Sequence, residues 1–455
     1  MNQVSPIPLT KKKPFTTSRL RLLTLSNGHG EDVIAVRILQ ELQQQPLAPE
    51  IFALPLVGEG RAFQKLDIPI IGSVRSMPSG GFVYQDGKQL ARDVRSGLLQ
   101  LTINQFKAIR RWVKIQKKSG YSTKILAVGD IVPLLFAWLS GSKYAFVGTA
   151  KSEYYLRDEA GWLKRDTPAA RWEGWSGSDY LPWERWLMTR SRCKAVFPRD
   201  SLTTEILKQW KIPAFDLGNP MMDGLEPSFP LQKFYTIDNR QQEIERLLAI
   251  TLLPGSRIPE AYANWDKIAI AVSGLIAMFS EEDFVGHTSG KILFLAGIAP
   301  GLDSNILTET LKIQGWHLVA NESSPVHIPD PQALTFKQKN AWMILSQNNY
   351  NDCLHLGDFA IAMAGTATEQ FVGLGKPAII IPGYGPQFTP AFAEAQSRLL
   401  GCSVILAQQP EDVASEVKAF FANPDKLHAI AKNGVRRMGK PGAAKRIAES
   451  LMDVW

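Results

Sequence analysis

Short runs of consecutive apolar residues alternate along the chain with longer stretches in which apolar positions recur every three or four residues. LRLLTLS (20–26) reads as a buried strand, NGHG (27–30) as a tight turn, and 31–45 as a helix with Val33, Ile34, Val36, Ile38 and Leu39 apolar. Residues 51–56, 68–71, 125–128, 144–147 and 195–197 read as further strands. A polar, proline-bearing stretch, EPSFPLQKFYTIDNR (226–240), interrupts the pattern. It then restarts with strands at 249–253, 292–296, 359–363 and 378–382 and with helices from Pro259 and over 367–374. Such alternation predicts parallel sheets covered by helices. The expected organisation is a first α/β domain at 1–224, a linker at 225–242, a second at 243–440, and a closing helix at 441–455 that packs back on the first. Open α/β sheets bind ligands outside the carboxyl ends of their strands, so chemistry is sought in the loops that follow them.

Composition narrows the class. With 455 residues, 45% hydrophobic and 21% charged, the chain is globular rather than disordered or fibrous. Cys193, Cys353 and Cys402 have no paired spacing, so neither a disulfide framework nor a zinc site is indicated, and a reducing cytoplasm fits. Lys11, Lys12 and Lys13 have no apolar stretch behind them, so no secretory signal is expected. The most apolar region, 125–150, is interrupted by Asp130, Pro133 and Lys143 and predicts no spanning helix. Up to residue 230 the chain carries 32 basic and 21 acidic residues, and 19 and 22 after it, so its two halves face different partners.

Four loops hold candidate chemistry. In LLPGSRIPE (252–260) a strand ends in Gly255 and Ser256, Arg257 follows, and Pro259 opens a helix. Backbone N–H groups, a helix dipole and a guanidinium fork then meet where a diphosphate fits; the plainer reading is a strand-to-helix turn with an exposed arginine. In AGTATEQ (364–370), Thr366 and Glu369 have capping-box spacing. Alternatively Gly365 lets the backbone approach a ligand, Thr366, Ala367 and Thr368 donate to phosphate, and Glu369 accepts from ribose hydroxyls. In SNGHGED (26–32), Gly28 and Gly30 flank His29, a histidine placed as a general base, while Glu31 and Asp32 suit the first turn of a helix; Gly28, Gly30 and Asp32 are expected to face the ligand cleft. Asp130, after the strand at 125–128, is either a helix N-cap or a carboxylate facing a ligand. The P-loop and Gly-x-Gly-x-x-Gly patterns are absent.

Two regions concern partners. Between residues 88 and 118 nine Lys/Arg and one acid interleave with Leu101, Phe106, Ile109 and Trp112 at helical spacing. With Phe82 in the preceding loop and Arg110 and Arg111 on the helix, this predicts a basic amphipathic element against an anionic membrane, or else a core helix with a solvated basic face. Trp162, Trp172, Trp175, Trp183 and Trp186 cluster in what reads as an insertion, either a sugar- or lipid-facing surface or a packed one.

The order and separation of GNPMMDG (218–224), LLPGSRIPE (252–260) and AGTATEQ (364–370) resemble the Gly-His-Pro…Asp, Leu-Pro-Gly-Ser-Arg and Ser-Gly-Thr-Ala…Glu stretches of lipid-A-disaccharide synthase; FPRD (197–200) and the closing RRMGKPGAAKRIAESL are similar to that family as well. The likeness spans about residues 195–450. SNGHGED departs from the family's Gly-Glu-x-Ser-Gly-Asp and is closer to the Gly-Gly-His turn of the peptidoglycan N-acetylglucosaminyltransferase and of galactolipid synthases. The resemblance therefore implies the fold, two Rossmann-like domains in a GT-B arrangement with a cleft between them, and a nucleotide-sugar donor site, but not the acceptor. It implies Ser256 and Arg257 on the diphosphate, Gly365, Thr366 and Ala367 on phosphate, Glu369 on ribose, Gln387 in the loop that touches the donor, and His29 or Asp130 as the base. The expected activity is an inverting, metal-independent hexosyl transfer from a UDP-sugar to a lipid-linked or amphipathic acceptor at the cytoplasmic face of a membrane. No cofactor is expected, since Asp-x-Asp is absent. A UDP-sugar epimerase or hydrolase of similar fold, a basic nucleic-acid-binding protein and an inert nucleotide-binding scaffold are the alternatives.

Overall fold

Strand β1 (Leu20–Ser26) forms because its apolar residues face helices on both sides of a parallel sheet, which leaves Leu22, Leu23 and Leu25 without exposure. The computed structural model describes residues 20–75, 98–164, 173–229, 247–280, 291–421 and 423–455. After β1 come α1 (His29–Gln43), β2 (Glu50–Pro55), α2 (Arg61–Gln64), α3 (Leu98–Lys118), β3 (Ser122–Gly129), α4 (Ile131–Leu139) and β4 (Lys143–Gly148). The small hairpin β5 (Arg157–Asp158) and β6 (Gly161–Trp162) follows, then α5 (Pro182–Met188), β7 (Cys193–Phe197) and α6 (Ser201–Gln209). The first sheet has the order β2-β1-β3-β4-β7, and β1 pairs in parallel with β2 and β3. Residues 68–71, expected as a strand, contribute one bridge, Ala53 to Ile70, since Pro69 has no N–H to donate.

The second sheet is built from β8 (Leu248–Leu253), β9 (Ile292–Gly297), β10 (His317–Val319), β11 (Leu334–Gln338), β12 (Ala341–Ser346), β13 (Phe359–Ala362), β14 (Ala378–Ile380) and β15 (Val404–Leu406). Its order is β10-β11-β12-β9-β8-β13-β14-β15, parallel from β12 onward, with β10 and β11 as an antiparallel extension that the apolar pattern did not reveal. Helices α7 (Glu260–Ser280), α8 (Ser304–Ile313), α9 (Tyr350–Leu356), α10 (Thr366–Gly373), α11 (Pro390–Leu400), α12 (Val413–Phe421), α13 (Pro424–Met438) and α14 (Ala443–Val454) complete the chain. Trp265, Phe294, Trp316, Phe336 and Phe371 fill the core, with Phe294 edge-on to Trp316.

Contacts group the chain into two units: residues 1–146, 191–194 and 448–455, and residues 147–190 and 195–447. In the first, Lys124 Nζ donates to the carbonyl of the last residue, Trp455 (3.1 Å). Residues 147–190 and 195–224 go with the second, where buried polar groups pair, Ser152 Oγ donating to Asp200 Oδ2 (2.7 Å) and Ser178 Oγ to Glu153 Oε1. Most of the stretch expected as linker, 225–242, lies outside the described residues.

Candidate functional site

Strands β8, β13 and β14 are neighbours, so the loops after Leu253, Ala362 and Ile380 leave the same edge of the second sheet. Gly255 takes φ +94°, and a Cβ there would stand 3.2 Å from the Met363 carbonyl, so only glycine lets the first two loops close on each other. Met363 N donates to Leu253 O (2.8 Å), and the buried Asn264 of α7 donates to both Pro254 O (3.0 Å) and Met363 O (3.3 Å). The third loop is drawn in from α7 as well. Lys267 Nζ donates to Pro382 O (2.7 Å), and Glu260, 7% exposed, accepts from the backbone of Gln387 (3.3 Å) and Phe388 (2.6 Å). Phe388 packs on Phe392, which lies against Gly365. Gly255, Ser256, Arg257, Gly365, Thr366 and Gln387 are thus gathered on one edge, with Ser256 and Thr366 exposed and Arg257 and Gln387 half-buried.

Around α10 two expectations are corrected. The helix cap is Gly365, not Thr366, and no side chain caps it. Glu369 therefore falls one position beyond the capping-box site, so that box does not form. Thr368 is buried and its hydroxyl donates back to Ala364 O (2.5 Å), which turns it away from the exposed end of the helix. Thr366 and Ala367 remain at the end where the first N–H groups of a helix lack intrahelical acceptors. Glu369, 7% exposed, pairs instead with Arg199 of the loop after β7. The sequence assigned Arg199 no role of its own; it stood out only within FPRD (197–200), as a charged Arg-Asp directly behind an apolar strand. Asp200 beside it caps α6, accepting from Thr203 N (2.7 Å) and Ser152 Oγ (2.7 Å), and burial raises its carboxyl above the usual range.

In the first unit the turns after β1 and β3 touch. Gly28, the cap of α1, takes φ +155°, and a Cβ on Gly129 (φ +134°) would come 3.1 Å from Asn27 Cβ. His29 is the first residue of α1, and Gly30 is exposed with open space around its α-carbon. Asp32, expected as a first-turn acid facing the ligand side, is only 1% exposed. It accepts from Ser26 Oγ, its Oδ2 has no hydrogen-bond partner among the described residues, and burial, helped by the Glu31 charge, pushes its carboxyl up to about 7. Of the two readings of Asp130, the structure shows the cap: it accepts from Val132 N (2.8 Å) at the head of α4.

Helix α3 corrects the partner expectation for one residue, Trp112. Trp112 is 7% exposed and meets Phe52 edge-on with ring centroids 5.3 Å apart, so it belongs to the core because the helix turns its apolar stripe to the sheet. Phe106 is half-buried against Phe136. Arg110 and Arg111 are exposed, and Phe82 lies outside the described residues. The tryptophans at 162, 175, 183 and 186 are exposed, and Trp172 is not among the described residues. Among the described residues no helix is long and apolar enough to cross a membrane, and no cluster of three or more His, Cys, Asp or Glu is placed to hold a metal ion.

No protein-family profile matches the sequence, and no curated protein does. Solved structures do match in fold. MurG from Acinetobacter baumannii superposes with a TM-score of 0.53 at 14% identity, covering 95% of this chain and 99% of its own. CalG4, the calicheamicin glycosyltransferase, gives 0.53 at 13% identity over 96% and 98%. A putative UDP-N-acetylglucosamine 2-epimerase from Listeria monocytogenes gives 0.52 at 14% over 95% and 96%. The chain has the α/β fold of these proteins, GT-B, with two Rossmann-like domains.

Proposed function

We propose that the chain is an inverting glycosyltransferase that moves a sugar from a nucleoside diphosphate, a UDP-sugar, to a lipid-linked or amphipathic acceptor. The observation that carries this reading is the meeting of Gly255–Arg257, the head of α10 and the 383–388 loop on one sheet edge. Donor-binding neighbours of the same fold and the resemblance to lipid-A-disaccharide synthase support it; MnaA from S. aureus, with a TM-score of 0.53, was solved with UDP. Arg257 and the amides of Thr366 and Ala367 hold the diphosphate. As the acceptor hydroxyl attacks the anomeric carbon, His29 takes its proton, the bond from that carbon to the diphosphate oxygen breaks, and the charge that develops is held by these fixed donors. Asp130 is the weaker base candidate because its carboxylate already serves the α4 cap. The transfer runs without a divalent metal, so EDTA leaves the rate unchanged. The acceptor is met at the cytoplasmic face of a membrane, against the exposed side of α3, where Lys107, Arg110, Arg111 and Lys114 stand beside Ile103 and Ile115.

Calorimetric titration with UDP tests the donor site: Arg257→Ala weakens binding by about tenfold or more, the loss of a charge-assisted diphosphate contact, and unchanged affinity overturns the assignment. The presence of a 2-epimerase among the structural matches keeps a second reading in view. Incubation with UDP-N-acetylglucosamine and no acceptor separates the two, since an epimerase converts it and a transferase does not.

A further inference from the structure

We propose that Arg199 is a positioning residue of the nucleotide site: it cancels the charge of Glu369 so that a diphosphate can approach the head of α10, and it fixes which carboxylate oxygen is left for the ribose. The proposal rests on the donor-site reading above. Glu369 stands in the first turn of α10, two residues beyond Ala367. A bare carboxylate there suits the helix dipole but repels a dianion arriving at the same point. Arg199 answers that charge from the loop after β7. Its Nη2 pairs with Glu369 Oε2, and the two side chains are only 4% and 9% exposed, so water screens the pair little. The guanidinium is held in place by Thr149 O, which accepts from Nη1 (3.2 Å), and by Met438 Sδ, 3.9 Å from Nη2. With Oε2 engaged, no described residue bonds Oε1, which is the oxygen available to sugar hydroxyls. Stability does not account for such a pair, because a buried ion pair gains little over apolar side chains of the same volume.

The experiment titrates the full chain with UDP, uridine and inorganic pyrophosphate, comparing wild type with Arg199→Met, Arg199→Met/Glu369→Gln and Glu369→Gln, each checked by circular dichroism and melting temperature. Arg199→Met leaves an uncompensated carboxylate and is expected to lose about tenfold or more in affinity for UDP and pyrophosphate alike. The double variant, neutral again, recovers pyrophosphate to within about threefold of wild type while UDP stays weaker, a split that a merely structural role does not produce. Glu369→Gln does not depend on the fate of the Met variant. With Arg199 unbalanced it binds pyrophosphate more tightly and uridine more weakly than wild type. Wild-type affinity for pyrophosphate in Arg199→Met, or weaker pyrophosphate binding in Glu369→Gln, overturns the proposal while leaving the donor site standing. A wild-type chain that binds neither UDP nor pyrophosphate overturns the donor site itself.

Discussion

Asp32 keeps its proton in the folded chain up to about pH 7, against a usual value of 3.8, because its carboxyl is buried and, among the described residues, has only the Ser26 hydroxyl as a partner. Between those two values the unfolded chain loses this proton and the folded chain retains it, so the group's contribution to stability falls as pH rises through that window and levels off above 7. Holding the anion in place costs on the order of 4 kcal/mol. Asp32→Asn, which keeps the shape and removes the charge, is therefore expected to gain in melting temperature over wild type steadily from pH 4 to pH 7, and no further by pH 8. A difference that is flat across that range shows that Asp32 ionises freely. Nothing in SNGHGED distinguishes this residue from Glu31, since a first-turn acid reads the same whether it faces water or the sheet; only the packing of α1 on β1 separates the two.

At the scale of elements, α7 organises the edge proposed to hold the nucleotide with its first two turns, through Glu260, Asn264 and Lys267. Glu260→Ala removes the acceptor of two backbone N–H groups, a change worth roughly 1.5–3 kcal/mol for a charged acceptor. Faster amide exchange at Gln387 and Phe388, with little change at β8, is the expected result; uniform acceleration shows instead that the whole unit loosens. Gly255→Ala forces an L-residue into a left-handed conformation against Met363 O, a cost of about 1–2 kcal/mol, and UDP affinity is expected to fall with the melting temperature. Wild-type values for both show that the close approach of the two loops is not needed. The turn chemistry of Gly255 was legible in LLPGSR, because a glycine behind an apolar strand has few other uses. The cap of α10 was misplaced by one residue, since Gly365 and Thr366 both suit the N-cap and only the course of the backbone decides between them.

For the whole molecule, a formal charge of +11 up to residue 230 against −3 after it and an exposed basic side on α3 lead to the expectation that the chain pellets with anionic vesicles at low salt and releases as salt rises. Reversing Arg110 and Arg111 to Glu weakens that binding, and Trp112→Phe leaves it unchanged because the indole lies in the core. Vesicle binding that ignores salt, or that depends on Trp112, contradicts this placement. Periodicity determined the α/β class, the parallel strands other than β12 and β15, and the candidate loops, because these follow from local alternation and from glycines that answer a backbone demand. The tertiary structure alone decided which acid is buried, which tryptophan faces the core, and that Glu369 meets an arginine 170 residues away in the sequence. Those outcomes depend on which surfaces the folded chain brings together, and a linear pattern holds no record of a partner so distant.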